Sequence, residues 1–183
     1  MVRILACLTA ALGLAGSALA QTGPLPKSVP FQPKTQVDNN VLQVLFGERA
    51  LFRLDDGGKP VLDKVEKGQL AAAHPPGAIT ETYGPPGPGL LAAALDGSQE
   101  KHATVLKVWN RTSRPVEYQA IALQMLQGDI LRPVPVLTCP VAAGGVRMES
   151  WPAPIAAVGM LRFKPASKAA LARCAKAAAK RGK

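Results

Sequence analysis

Histidine is almost missing from this chain of 183 residues: His74 and His102 are the only two. Nucleophilic hydrolysis needs a nucleophile, a base and an orienting acid held together. No Gly-x-Ser-x-Gly turn lies beyond the first twenty residues, and His74 stands in a proline- and glycine-rich stretch that would position it poorly. Histidine-based catalysis is therefore not supported. Aromatic residues are also scarce, at 4%, and none interleaves with the basic residues of the C-terminal end. Nucleic-acid binding would rest there on charge alone, with no platform for stacking bases. No histidine follows Cys139, so a copper site of the Cys-His-Met kind lacks a ligand, and Met125, Met148 and Met160 read as core filler. Adjacent carboxylates occur at Asp55-Asp56, but Gly57-Gly58 follows them, which is the chemistry of a turn. We assign no catalytic residue, no cofactor and no metal ligand.

What is present begins with a leader. Arg3, the apolar run Ile4 to Leu14 and then Ala18-Leu19-Ala20 have the three parts of a secretory signal peptide, 1–20, with cleavage expected after Ala20. The run is short and broken by Gly13 and Gly16, too weak to span a bilayer. Almost nothing apolar precedes Cys7, which argues against lipid attachment there. Removing Arg3 lowers the formal net charge from +10 to +9, a balance that favours anionic partners without naming one. Cys139 and Cys174 remain, and an even pair in an exported chain predicts a disulfide.

Residues 21–40 hold Pro24, Pro26, Pro30 and Pro33 and read as an extended arm. Apolar runs at 41–46 and 50–54, the turn at Asp55 to Gly58 and the run from Pro60 to Val65 predict a hairpin. A proline- and glycine-rich connector covers 71–89, and Leu90 to Leu95 is ambiguous between strand and helical turn. Val105 to Trp109 and Val116 to Leu123 flank turn residues from Asn110 to Pro115, which predicts a central hairpin; a further strand pair is expected before and after Gly144-Gly145. In the strand Ile155 to Phe163, strict alternation puts Ile155, Leu161 and Phe163 on one face and Val158 and Met160 on the other. Seven to nine strands with this turn spacing predict an all-β, immunoglobulin-like sandwich over 41–165. Over 166–183 a short basic helix is expected, capped by Ser167, with Leu171, Cys174, Ala175 and Ala178 on one face. The sequence Asn110-Arg111-Thr112 matches a glycosylation acceptor but reads as turn chemistry.

The run TVLKVWN (104–110), VEYQA (116–120), TCPV (138–141) and ESWPAPI (149–155), with a second cysteine at Cys174, resembles small exported bacterial β-sandwich proteins that carry no assigned activity. The resemblance implies the fold and brings no functional residues. The expected function is that of a periplasmic or secreted non-enzymatic protein of the cell envelope. Its partner is another protein or an anionic lipid or polymer, met by strand edges, loops or the basic residues Lys168, Arg173, Lys176, Lys180, Arg181 and Lys183. The alternative is an enzyme of unusual site composition, which would show itself as a pocket of convergent polar groups.

Overall fold

Alternation of apolar and polar residues, interrupted by glycine and proline, gives this chain ten strands, one α-helix and a short 3-10 turn at Ala71–Ala73 among the residues described by the structure, a computed structural model covering 33–126 and 130–181, without the side chains of 176–181. The strands are β1 (Gln36–Asp38), β2 (Val41–Leu45), β3 (Glu48–Leu54), β4 (Pro60–Lys67), β5 (Leu91–Ser98), β6 (Ala103–Asn110), β7 (Val116–Met125), β8 (Leu131–Val136), β9 (Val146–Trp151) and β10 (Ile155–Pro165). The helix is α1 (Lys168–Arg181). Two five-stranded antiparallel sheets, ordered β1-β2-β10-β7-β8 and β4-β3-β5-β6-β9, pack face to face as a β-sandwich. The leader at 1–20 and the arm as far as residue 32 lie outside the described residues, while Gln36–Asp38, within the arm segment, pairs with β2 as an edge strand.

The hairpin expected around Asp55 to Gly58 is present as β3 and β4. The central one is not. β6 pairs with β5 and β9, and β7 pairs with β10 and β8, so the chain from Asn110 to Pro115 carries it from one sheet to the other. Asn110 organises that corner: fully buried, its carbonyl accepts from Thr112 N and Oγ1, and its amide donates to the carbonyls of Arg114 and Val141. An amide so engaged is closed to glycosylation in the folded state. The strand pair expected around Gly144-Gly145 is likewise split, β8 lying in one sheet and β9 in the other.

β10 departs from alternation. Ile155, Val158, Met160 and Phe163 all face the inter-sheet core, because the pairing with β7 slips once between Ile155 and Ala157 and again between Leu161 and Lys164. Each slip flips the parity of the side chains. Arg162, inside the second irregularity, has φ of 53°.

The stretch expected at Leu90 to Leu95 resolves as strand from Leu91 onward, and β5 is buried on both faces. Its inner side meets the opposite sheet. Its outer side, with Leu51, Val105 and Trp109, is covered by the connector 68–89, whose Leu70, Ala73 and Tyr83 complete a second core. The connector therefore straps one sheet from outside instead of crossing between sheets.

Candidate functional site

A groove of about 970 Å³ lies on one flank, lined by residues of β7, β9, β10, α1 and the segment after β8. It exists because β8 pairs with β7 only from Ala120 onward, leaving Val116 to Gln119 without that neighbour, and the chain after β8 then crosses towards β9. α1 closes one side. Ser167 caps it as expected, its Oγ accepting from Ala170 N at 3.1 Å. The disulfide Cys139–Cys174, with Cα atoms 5.7 Å apart, ties it to the strand-crossing segment and lines the groove. Ala170 is the buried helix residue, while Ala175 of the expected stripe is exposed and Ala178 lies outside the described side chains.

In the lining cations outnumber carboxylates. Arg147, Arg162, Lys164 and Arg173 face two carboxylates, Glu117 and Glu149. Lys164 pairs with Glu117 at 2.9 Å and Arg147 with Glu149 at 3.2 Å, while Arg162 donates to the Gln119 side-chain carbonyl at 3.2 Å. Among the described residues Arg162 and Arg173 meet no carboxylate. Glu149 also accepts from Cys139 N at 3.1 Å, which fixes the segment beside the disulfide. Tyr118 lies at the groove's inner wall, stacked on Phe163 at 5.8 Å, and its buried hydroxyl has no hydrogen-bond partner among the described residues. Burial, then the negative charge of Glu149, pushes that phenol well above its ordinary range, partly offset by Arg147.

Of the basic residues anticipated for anion contact, Arg173 lines the groove and Lys168 is exposed at the start of α1. The side chains of Lys176, Lys180 and Arg181, and all of Lys183, lie outside the described residues. Sequence reasoning missed Arg147, Glu149, Arg162 and Lys164. Arg147 and Glu149 share a strand face by their i, i+2 spacing, a signal that was available; Arg162 joins the groove through an irregularity that strict alternation cannot show.

A second polar cluster sits under the strap. Arg49, largely buried, donates from Nε to Glu66 at 2.9 Å and stacks 4.7 Å from the Tyr83 ring; Lys107 pairs with Glu81 and lies 4.8 Å from the Trp109 ring. Hydrogen bonding from Arg49 holds the Glu66 carboxyl below the usual carboxylate range, against the opposing effect of burial. His74 Nε2 lies 3.0 Å from Asp96 Oδ2, which also accepts from Leu70 N. Through Tyr83, Glu81 and His74 these contacts pin the strap to the sheet. Among the described residues no three His, Cys, Asp or Glu side chains converge on a metal position, and no described helix is long and apolar enough to cross a membrane. In comparisons with known proteins, no family model, no curated protein and no solved structure matches the chain.

Proposed function

We propose that this sandwich, immunoglobulin-like in kind, is an exported, periplasmic or secreted, non-enzymatic binding protein of the cell envelope that holds an extended anionic chain in the flank groove. The observation that carries the reading is the groove's charge: four cations against two carboxylates, with Arg162 and Arg173 unpaired by any described carboxylate. A concave, basic surface suits a chain-like polyanion better than a flat membrane. The disulfide supports an oxidising compartment. The basic residues Lys168, Lys176, Lys180, Arg181 and Lys183 would extend the same positive field along α1 and beyond.

The test is titration with polyglutamate, beside vesicles of anionic lipid, across a salt series. The double variant Arg162→Gln/Arg173→Gln removes the two uncompensated cations from exposed positions. Wild type binds the polymer with an affinity that falls as salt rises. Taking about 1 kcal/mol for each basic side chain at an anionic surface, the variant binds at least about tenfold more weakly. Equal binding by both, or vesicle binding without polymer binding, removes the groove from the function.

A further inference from the structure

We propose that two copies of the chain associate through the free edge of β9, paired antiparallel about a two-fold axis at Met148. Among the described residues β9 is the one sheet edge with a regular, unguarded backbone. β1 is only three residues long, β8 carries Pro133 and Pro135, and β4 is bulged where it pairs with Leu51 and Phe52. Short edges, prolines and bulges are how exposed strands are protected from pairing. β9 has no such guard, and its register with β6 is unbroken from Val146 to Trp151.

The ladder phase decides which groups face outward. Asn110 N donates to Gly145 O across the β6 edge, and hydrogen-bonded pairs alternate along an antiparallel ladder. Arg147, Glu149 and Trp151 therefore turn their N–H and C=O groups to β6, and Val146, Met148 and Ser150 turn theirs away from it. Antiparallel pairing centred on Met148 joins Met148 to the partner's Met148 and Val146 to the partner's Ser150, all through outward-facing groups. Arg147 then falls directly opposite the partner's Glu149, and Glu149 opposite the partner's Arg147. That position is a close, non-hydrogen-bonded pair.

The side chains agree with this register. Arg147 binds Glu149 in its own chain through Nε alone, so its two terminal nitrogens can reach the partner's Glu149. Both described contacts of Glu149 fall on Oε1, which leaves Oε2 to receive them. On the outer face Val146 and Met148 are each about half exposed; Met148 meets its counterpart and Val146 the partner's Ser150. Charged residues facing inward on an edge strand can repel a foreign strand; here their order of sign accepts a second copy of itself. Arg147 and Glu149 line the groove, so the partner's pair adds one charge of each sign there and leaves its net charge unchanged.

Sedimentation velocity tests this on the wild-type protein and three variants. Met148→Pro removes an outward N–H without taking a bond from β6, so circular dichroism stays that of wild type while the dimer is lost. Arg147→Glu and Glu149→Arg each set like charges opposite one another twice, and each weakens dimerisation at least about tenfold, since opposite and like cross-strand charges differ in sign of effect. Mixed in equal amounts, these two variants again place an acid opposite a base at both positions, and the mixture dimerises where neither does alone. A wild-type protein that stays monomeric across the micromolar range overturns the proposal. So does a dimer indifferent to Met148→Pro, or a mixture that associates no better than its components.

Discussion

Tyr118 buries a hydroxyl against Phe163 with nothing among the described residues to receive it. A buried polar group without a partner costs roughly 1–3 kcal/mol, so Tyr118→Phe should leave stability unchanged or raise it by about 1 kcal/mol. Urea denaturation reads the outcome, and a clear loss of stability would show that the hydroxyl has a partner in solution. Tyr83 carries the related pH dependence. Burial, then the negative charge of Asp96, raises its phenol to about 12. The folded state thus keeps the proton that the unfolded chain releases near pH 10. Its contribution to stability is complete below pH 10 and is lost as pH rises to about 12. Urea midpoints measured between those limits should fall, and Tyr83→Phe should lessen the fall while the part due to the buried Tyr118 phenol remains. Arg162 separates fold from binding at a single residue. Its φ of 53° is left-handed, where a side chain is strained and glycine is not. Arg162→Gly should therefore keep or raise stability, by up to about 1 kcal/mol, while weakening polyglutamate binding.

At the scale of the element, the strands themselves were legible and their partners were not. The residues Asn110 to Pro115 have turn chemistry whether the next strand returns beside the last one or crosses to the other sheet, because the local signal ends at the turn. The choice depended on Asn110, whose side chain reaches Val141 across 31 residues of sequence. β10 shows a similar limit: alternation assigned its faces wrongly because two irregularities, at 156 and 162–163, reset the parity. The disulfide was legible because Cys139 and Cys174 are the two cysteines beyond the first twenty residues and admit one pairing. Its closure spans 35 residues, worth about 4 kcal/mol in the chain-entropy model. Among its described side chains, Lys168 to Ala175, α1 fully buries Ala170 alone, so the tether is expected to supply much of what holds it. Replacing both cysteines by serine should abolish hydrogen-exchange protection in α1 while β5 and β6 stay protected. Persistence of protection in α1 would mean that packing alone suffices.

The molecule as a whole is built in three layers, because the strap 68–89 covers a sheet face that a two-layer sandwich would leave to solvent. This layer was hidden in the sequence: a proline- and glycine-rich stretch has no periodicity to reveal what it covers. The clue lay in the strands beneath it. Val105 and Trp109 on one face of β6 and Leu106 and Val108 on the other make both faces apolar, and the small side chains of Ala92 and Ala94 leave room for the strap. The strap closes through Gly68, where an added Cβ would stand 2.1 Å from Thr82 Oγ1 and 2.8 Å from the Tyr83 ring. Neither atom can yield freely: Thr82 Oγ1 accepts from Gln69 N, and Tyr83 lies against Arg49. Gly68→Ala, made in a Trp151→Phe background so that the emission reports Trp109, should push the strap outward, shift that emission to the red and cost about 1–3 kcal/mol, the range for overpacking, with far-ultraviolet circular dichroism retained. Gly84→Ala is the matched control in the same strap, because its Cβ would meet nothing within 4 Å. If both variants shift the emission alike, the fit at Gly68 is not what seats the strap. A shift confined to Gly68→Ala identifies that contact as the one on which the third layer depends.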